Sequence, residues 1–302
     1  MILTTDPVSM IPALGAKTSA WLSVHLIASD YTTSGACPEY ASFTFNFPVA
    51  MGPSDRESYL ESVGRACEEL GVSIVAGHTG SYPGASFTVI GGGTMFGLAN
   101  RGAFVDPSMA RKGDLILMTK GAAIEATASL ANSFPQFTRQ ALGDSSAKRA
   151  REFVASCSTV KDALTAASVG LGEGKVSSMH DATEGGVLGA MDEMAAACGK
   201  SFVVDTCKIP VAPEAREVCT AFHLNPLRTM GEGALILTCG RRSFAALEDT
   251  LSHAGLPVAE IGEVRTGRGL ILMQAGKKQE RYSPGPDGYW AAYHLASHRG
   301  LR

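Results

Sequence analysis

The segment from His180 to Val187 constrains the fold more than any other part of this sequence. It reads His-Asp-Ala-Thr-Glu-Gly-Gly-Val, and it joins the end of a predicted strand to a predicted helix with one apolar face. Gly199 follows the last apolar residue of that face, as is common where helices end. A strand, a tight turn and a helix in succession indicate a fold that mixes α and β structure.

The length of the chain indicates two domains. With 302 residues, of which 45% are hydrophobic and 34 are glycine, the chain exceeds what one compact core usually fills, at roughly 150 residues per domain. Residues 101–113 are polar and rich in turn signals. We therefore predict an N-terminal domain over residues 1–106 and a C-terminal domain over residues 107–302.

Charge and composition argue against several classes of partner. The chain has 26 basic and 29 acidic side chains and no long Lys/Arg cluster, so we expect no nucleic acid partner. No run approaches 18 apolar residues, and the N-terminus lacks the pattern of a signal peptide, so we expect no membrane partner. The seven cysteines contain no C-x-x-C pair and are expected to be reduced thiols in a cytoplasmic protein.

Periodicity predicts most of the regular elements. In the N-terminal domain residues 20–28 give a mixed signal, and Ser54 with Glu57 suggests a capping box for a helix that ends at Gly71. The other N-terminal predictions are strands over 1–5, 42–47, 72–76 (buried) and 87–90, with a glycine-rich turn over 77–84. In the C-terminal domain we predict strands over 115–119, 176–179, 201–204, 234–239, 258–264 and 270–273, and helices over 122–131, 160–169, 184–198 and 215–222.

Two common phosphate-binding motifs are incomplete. Gly174-Lys175 is followed by Val176 rather than Ser or Thr, and Val169 stands where a P-loop needs glycine. Gly91-x-Gly93 lacks the third glycine of a dinucleotide-binding turn. A nucleotide, if one binds, must use other residues.

The turn at Asp181–Gly186 has two interpretations. Gly185 and Gly186 would let backbone N–H groups approach an anion, while neighbouring carboxylates hold a divalent cation. Alternatively, Asp181 or Thr183 is an ordinary N-cap, and Glu184 is an acid favoured by the helix dipole. This segment alone favours the second interpretation.

Other polar residues stand at similar junctions. Asp6 follows the first predicted strand, Asp30 precedes a turn of small residues, and Glu232 lies between two glycines. Carboxylates in such places often gather Mg²⁺ and phosphate, although each alone fits a local structural role. Together they favour a metal–nucleotide site.

His78 stands in the turn Gly77-His78-Thr79-Gly80 and has two interpretations. It could position a substrate or take a proton near neutral pH, or it could simply cap the turn.

Taken in order, these segments resemble the aminoimidazole-ribonucleotide synthase (PurM-like) superfamily, which includes selenophosphate synthetase, thiamine-monophosphate kinase and HypE. The AIR synthase-related and HypE-like branch is the most similar. The resemblance extends over nearly the whole chain and also includes Gly35-Ala36-Cys37-Pro38, Met118-Thr119-Lys120-Gly121 and Ile261-Gly262-Glu263-Val264.

The resemblance implies a two-domain α+β fold and a homodimer whose N-terminal domains form a β-barrel. It also implies ATP and Mg²⁺, and phosphorylation or activation of a small amide or phosphorylated metabolite. By the same resemblance Asp6, Asp30 and Asp181 are metal ligands, and Asp30 and His78 are catalytic. The cofactor-binding residues would be Gly77, Thr79, Thr183, Glu184, Gly185, Gly186 and Glu232.

The sequence also departs from its relatives. They carry a glycine-rich segment with paired aspartates ahead of the first matched strand, and this sequence begins at that strand. Three explanations stay open: the sequence is truncated, the partner subunit or another segment compensates, or ATP is not used. HypE proteins end in a reactive cysteine, whereas the residues here are Gly300-Leu301-Arg302. Two alternatives stay open: a phosphotransferase similar to thiamine-monophosphate kinase, and a catalytically silent dimeric binding module.

Overall fold

The computed structural model describes residues 1–301, except for the side chains of Lys278 and Gln279. The chain divides into two compact units, each built around one sheet. The first unit comprises Met1–Thr32 and Ala36–Arg101, and the second comprises Thr33–Gly35 and the chain from Gly102 onward. Among the described residues no helix combines the length and the apolar character that crossing a bilayer requires.

The first unit packs two helices on a four-stranded sheet. Its elements are β1 (Ile2–Ser9), α1 (Gly15–Thr32), β2 (Tyr40–Pro48), α2 (Pro53–Glu69), β3 (Ser73–Tyr82) and β4 (Val89–Gly97). The strand order is β1-β4-β2-β3, with β2 and β3 parallel and the other pairs antiparallel. Tyr59 of α2 packs edge-on against Phe45 and Phe47 of β2, and its hydroxyl hydrogen-bonds Ser23 of α1 at 2.9 Å.

Two N-terminal predictions were wrong, and one segment had no assigned element. The mixed signal over residues 20–28 belongs to an 18-residue helix, because α1 buries residues on most of its circumference and shows little amphipathic contrast. Strand β3 extends through the predicted turn and is exposed along its length instead of buried. Helix α2 begins at Pro53 after Gly52, without a side-chain cap, because proline fits the first helical position.

The two-domain α+β architecture is confirmed, whereas the barrel formed by the N-terminal domains of a dimer stays a prediction. Within residues 1–301 neither sheet closes on itself: β1 and β3 are the edges of the first sheet, and the strands Lys277–Arg281 and Val176–Asp181 are the edges of the second. One chain therefore supplies an open sheet. Four strands are too few to close a barrel around packed side chains, for which about eight are needed.

The second unit is a seven-stranded sheet with helices on both faces. Its strands are β5 (Leu115–Thr119), β6 (Val176–Asp181), β7 (Ser201–Asp205), β8 (Leu235–Cys239), β9 (Val258–Arg265), β10 (Gly269–Gln274) and β11 (Lys277–Arg281), in the order β11-β10-β7-β9-β5-β8-β6. Its helices are α3 (Ile124–Ser133), α4 (Pro135–Leu142), α5 (Asp144–Glu152), α6 (Val160–Ser168), α7 (Gly186–Cys198), α8 (Pro213–Ala221), α9 (Phe244–His253) and α10 (Tyr289–His298).

Strand β5 is buried on both faces and separates two apolar layers. Ile116 and Met118 face the cluster that contains Met191 of α7. Leu115 and Leu117 face the cluster that contains Leu247 of α9. A third cluster joins α3, α8 and α10 beside the sheet. Because successive side chains of β5 point to opposite faces of the sheet, this one strand packs against both layers.

We expect the substitution Leu117→Ala to lower the free energy of unfolding by about 2–5 kcal/mol, because Leu117 is fully buried between β5 and α9. Urea denaturation followed by circular dichroism measures the change. Glu248→Ala, at an exposed position of α9, should change the free energy by about 0.5 kcal/mol or less. A loss below about 1 kcal/mol for Leu117→Ala would contradict this packing.

Candidate functional site

The turn between β6 and α7 carries a buried carboxylate with an unusual environment. Asp181 is the last residue of β6 and is 1% exposed. Its Oδ1 lies 3.4 Å from Nδ1 of His180, whereas its Oδ2 has no hydrogen-bond partner among the described residues. An unpartnered buried carboxylate oxygen is costly unless a cation binds it. Asp181 is therefore suited to bind a cation.

The two glycines of this turn are used for close packing and for a helix start. Gly185 is the N-cap residue of α7 and has φ 77°. Gly186 has φ 63°, and a Cβ there would lie 2.6 Å from the carbonyl oxygen of Thr229. Only glycine allows this approach in a left-handed conformation. The glycine pair thus lets the turn lie directly against the loop around Thr229.

The first amides of α7 have partners within the chain. The N–H of Gly185 donates to Oδ2 of Asp287 at 3.0 Å, and that of Gly186 donates to the carbonyl of Thr183 at 3.0 Å. The anion at the start of this helix is therefore the chain's own Asp287. The sequence did not identify this residue, because it lies 102 positions beyond Gly185.

The loop that carries Glu232 lies against the same turn. The N–H of Gly231 donates to the carbonyl of Thr183 at 3.2 Å, and that of Ala182 donates to the carbonyl of Ala234 at 2.9 Å. Glu232 is 7% exposed. The structure thus brings together the predicted residues of the second unit, namely Asp181, Thr183, Glu184, Gly185, Gly186 and Glu232, on two neighbouring loops.

A buried polar region continues from Glu232 towards α3. Burial raises the pKa of the Cys157 thiol well above its usual value, and the charges of Glu125 and Glu232 raise it further. Lys120 opposes this effect with its positive charge. Cys157 is consequently a neutral thiol at physiological pH and not an activated nucleophile.

Lys120 is a fixed cation at the end of β5. Its Nζ lies 3.1 Å from Oδ2 of Asp162 and donates to the carbonyls of Ser156 at 3.2 Å and Ser158 at 2.7 Å. Burial raises the pKa of Asp162, although Lys120 and the hydroxyl of Thr119 oppose the shift. This role of Lys120 could not be predicted from its motif, Met118-Thr119-Lys120-Gly121, because its partners come from residues 156–162.

The predicted residues of the first unit form two separate groups. Oδ2 of Asp30, in the last turn of α1, accepts a hydrogen bond from Oγ1 of Thr4 at 3.1 Å. Asp6 lies in the middle of β1, opposite Gly93 of β4. Both carboxylates are half-buried. The sequence placed Asp6 at a strand end and did not identify the helix that carries Asp30.

The second group, Gly77, His78 and Thr79, lies on β3 at the opposite edge of the sheet. Asp6 pairs with Gly93, Gly93 with Phe43, and Phe43 with Gly77, so three strand spacings, roughly 14 Å, separate β1 from β3. His78 is exposed, and its Nε2 lies 2.7 Å from the Tyr82 hydroxyl. Within one unit, therefore, Asp6 and His78 do not share a pocket.

Metal ligands do not cluster in the part of the chain that the structure describes. Among residues 1–301, leaving aside the two undescribed side chains, no group of three or more His, Cys, Asp or Glu residues is arranged to hold a metal ion. A divalent cation at Asp181 would consequently need further ligands from water, from a bound substrate or from a second copy of the chain.

His180 is held as a cation between two carboxylates. Its Nε2 lies 3.0 Å from Oε2 of Glu193, a better hydrogen bond than the 3.4 Å contact with Asp181. Burial lowers the pKa of His180, but the hydrogen bonds and charges of Asp181 and Glu193 outweigh this effect and raise the pKa from 6.5 to about 9. The imidazolium in turn lowers the pKa of Glu193.

This shift makes stability depend on pH. Because the folded pKa exceeds the unfolded one, the contribution of His180 is complete below pH 6.5 and is lost as pH rises through about 9. The stability advantage of wild type over His180→Gln, measured by urea denaturation with EDTA present, should fall by about 3 kcal/mol across this range.

The exposed His253 provides the control, because its side chain is 79% exposed. His253→Gln should show no comparable pH dependence. A difference between wild type and His180→Gln that stays constant from pH 6 to pH 10 would show that His180 is not a buried cation.

Comparisons with known proteins agree with the fold. The sequence matches the family described as AIR synthase related protein, N-terminal domain, over residues 1–99 and its C-terminal domain over residues 111–274. A carbamoyl dehydratase HypE from Cupriavidus necator is 29% identical over 263 residues, which are 84% of this chain and 70% of that protein. A thiamine-monophosphate kinase from Nitrosopumilus maritimus is 25% identical over 268 residues, which are 88% of this chain and 80% of that protein.

A solved structure shows the same architecture. The crystal structure of a hydrogenase maturation protein HypE in complex with ATP superposes with a TM-score of 0.76 at 22% identity, covering 93% of this chain and 85% of that one. At this identity the likeness concerns the fold. The two profile matches together span most of the sequence, and the chain therefore belongs to the AIR synthase related family, on its HypE-like branch.

Proposed function

We propose that the protein is an ATP- and Mg²⁺-dependent enzyme that phosphorylates or activates a small amide or a phosphorylated metabolite. The observation that carries the proposal is the buried Oδ2 of Asp181, which has no hydrogen-bond partner among the described residues. Family membership supports the proposal, as does the binding of ATP by a HypE of the same fold.

Asp181 meets the requirements of magnesium. Mg²⁺ prefers hard oxygen ligands, keeps several waters and is commonly held by one or two carboxylates together with substrate phosphates. Asp181 supplies such an oxygen at the end of β6, and a cation there would compensate its buried charge. When bound, Mg²⁺ neutralises charge on the phosphate oxygens of the nucleotide.

The chain's own residues would position the reactants. In the proposal Asp6 and Asp30 provide further carboxylates for the metal-bound nucleotide, and His78 contacts the acceptor. Phosphoryl transfer needs mainly positioning and charge neutralisation, so no protein nucleophile is required. This agrees with the neutral, buried state of Cys157.

Thiamine-monophosphate kinase activity is the second candidate. The relative from Nitrosopumilus maritimus, aligned over 88% of this chain, favours it. In such a reaction a phosphate oxygen of the acceptor attacks the γ-phosphorus of ATP, and ADP leaves. ADP release measured with thiamine monophosphate, and separately with a carbamoyl amide, separates the two acceptor classes.

We expect the wild-type protein to bind a non-hydrolysable ATP analogue in the presence of Mg²⁺, as measured by calorimetry. Asp181→Asn should weaken this binding at least tenfold, and the weakening should disappear when Mg²⁺ is removed. Its melting temperature without ligand should fall, because the substitution removes one of the two carboxylates that hold His180 as a cation. The dependence of the weakened binding on Mg²⁺ distinguishes the loss of a metal ligand from this loss of stability.

Asp249→Asn is the matched control, since its side chain is 72% exposed on α9. It should bind like wild type. Equal affinity of wild type and Asp181→Asn would exclude Asp181 from the metal–nucleotide site. No binding by wild type would favour the catalytically silent module.

We further propose that β3 pairs with a second copy of the chain. Ile74 and Val75 are 48% and 54% exposed, and as neighbours in a strand they lie on opposite faces of the sheet. An exposed edge strand that is apolar on both faces is a site for pairing with another chain. A homodimer through β3 would cover it and would extend the sheet that carries His78.

Val75→Lys should convert such a dimer to a monomer, because a lysine would be buried against the paired edge. Light scattering after size-exclusion chromatography measures the mass. Leu295→Lys, at a 49% exposed position of α10, is the control and should leave the mass unchanged. A wild-type protein of monomeric mass would contradict the proposal.

A further inference from the structure

One carboxylate joins three distant parts of the second unit. Oδ2 of Asp287 accepts the N–H of Gly185 at 3.0 Å. Its Oδ1 accepts the hydroxyl of Thr229 at 3.1 Å and the N–H of Tyr289 at 2.8 Å. Gly185 and Thr229 are 102 and 58 residues away in sequence, so only the bond to Tyr289 is local.

Asp287 serves the start of two helices at once. Gly185 is the N-cap residue of α7, and Tyr289 is the first residue of α10. A negative charge is favourable near each helix N-terminus, and here a single carboxylate is shared between two of them. All three partners are donors. An asparagine at position 287 would therefore place its NH₂ group, which is a donor, opposite one of these donors, and that hydrogen bond would be lost.

The two loops that Asp287 joins carry the predicted site residues. The turn before α7 contains Asp181, and the loop after Thr229 contains Glu232. Each loop reaches the other through backbone hydrogen bonds, from Gly231 to Thr183 and from Ala182 to Ala234. Asp287 belongs to neither loop, and its side chain hydrogen-bonds both of them, at Gly185 and at Thr229.

We propose that Asp287 is a positioning residue. It fixes the turn at Ala182–Gly185 against the loop at Thr229–Gly233, and its carboxylate fills the anion position at the start of α7. The nucleotide phosphates therefore do not use the N–H of Gly185. The effect on nucleotide binding rests on the proposed function, whereas the effect on the two loops does not.

The anchoring of α10 lets this idea be tested without unfolding the protein. Tyr289 is 2% exposed, and its hydroxyl hydrogen-bonds that of Ser129 in α3 at 2.5 Å. Helix α10 therefore stays packed when the Asp287 side chain is shortened. Asp205 is a matched control, because its Oδ1 also accepts two backbone N–H groups, from Cys207 at 3.1 Å and Ala275 at 3.2 Å, away from both loops.

The test is amide hydrogen exchange measured on wild type, Asp287→Ala and Asp205→Ala. In Asp287→Ala, exchange at Gly185 and over residues 229–233 should accelerate at least tenfold, while β5 and β8 keep wild-type rates. Asp205→Ala should leave both loops unchanged. Wild-type rates at Gly185 in Asp287→Ala would overturn the proposal, and so would equal acceleration in β5.

Two further measurements distinguish positioning from general stability. Added formate should restore slow exchange at Gly185 in Asp287→Ala in a saturable manner, because it can occupy the vacated acceptor position; no restoration would count against the proposal. Thr229→Val, which removes one bond to Asp287 without touching α10, should accelerate exchange over residues 229–233 by a smaller factor. No acceleration in this variant would also contradict the proposal.

A nucleotide-binding measurement shows whether a failure concerns the role of Asp287 or the proposed function itself. If wild type binds the ATP analogue, Asp287→Ala should bind it at least fivefold more weakly, and formate should recover part of the affinity. Unchanged affinity with mobile loops would overturn the link to the site. If wild type binds no nucleotide, the exchange results still decide whether Asp287 positions the loops.

Discussion

The close approach of two loops at the ends of β6 and β8 is the constraint on which the rest of the candidate site depends. It requires backbone to lie against backbone without an intervening side chain. Gly186 provides this on one side, where a Cβ would lie 2.6 Å from the carbonyl oxygen of Thr229, and Gly231 provides it on the other, where a Cβ would lie 3.1 Å from the Cβ of Ala182. A larger residue at Gly186 would push apart the segments that carry Asp181 and Glu232.

This approach also explains why charged groups are concentrated here. The loops exclude water, so carboxylates such as Asp181 and Glu232 are held in a medium where charge is expensive. The chain's own cations offset part of this cost, since Lys120 lies beside Asp162 and His180 lies between Asp181 and Glu193. Oδ2 of Asp181 still has no hydrogen-bond partner among the described residues, and a bound cation would satisfy this oxygen.

Much of the second unit was predictable because its elements have strong local signals. The predicted strands over 115–119, 201–204 and 270–273 are observed as β5, β7 and β10. Their apolar runs are short and bounded by polar turns, so they are identified without knowledge of neighbours. Helix α1 was missed because it is buried on most sides, and the exposure of β3 was missed because strand signals do not show which strand is at an edge.

The sequence by itself determined the mixed α and β class and the tight turn that joins a strand to a helix at His180–Val187. It did so because periodicity and glycine placement act over a few residues. Only the tertiary structure decided what each polar group meets. Asp287 reaches Gly185 across 102 residues, Lys120 meets Asp162, and Asp6 is separated from His78 by the width of a sheet. Such pairings depend on sheet order and loop packing, and local sequence patterns do not predict either of them.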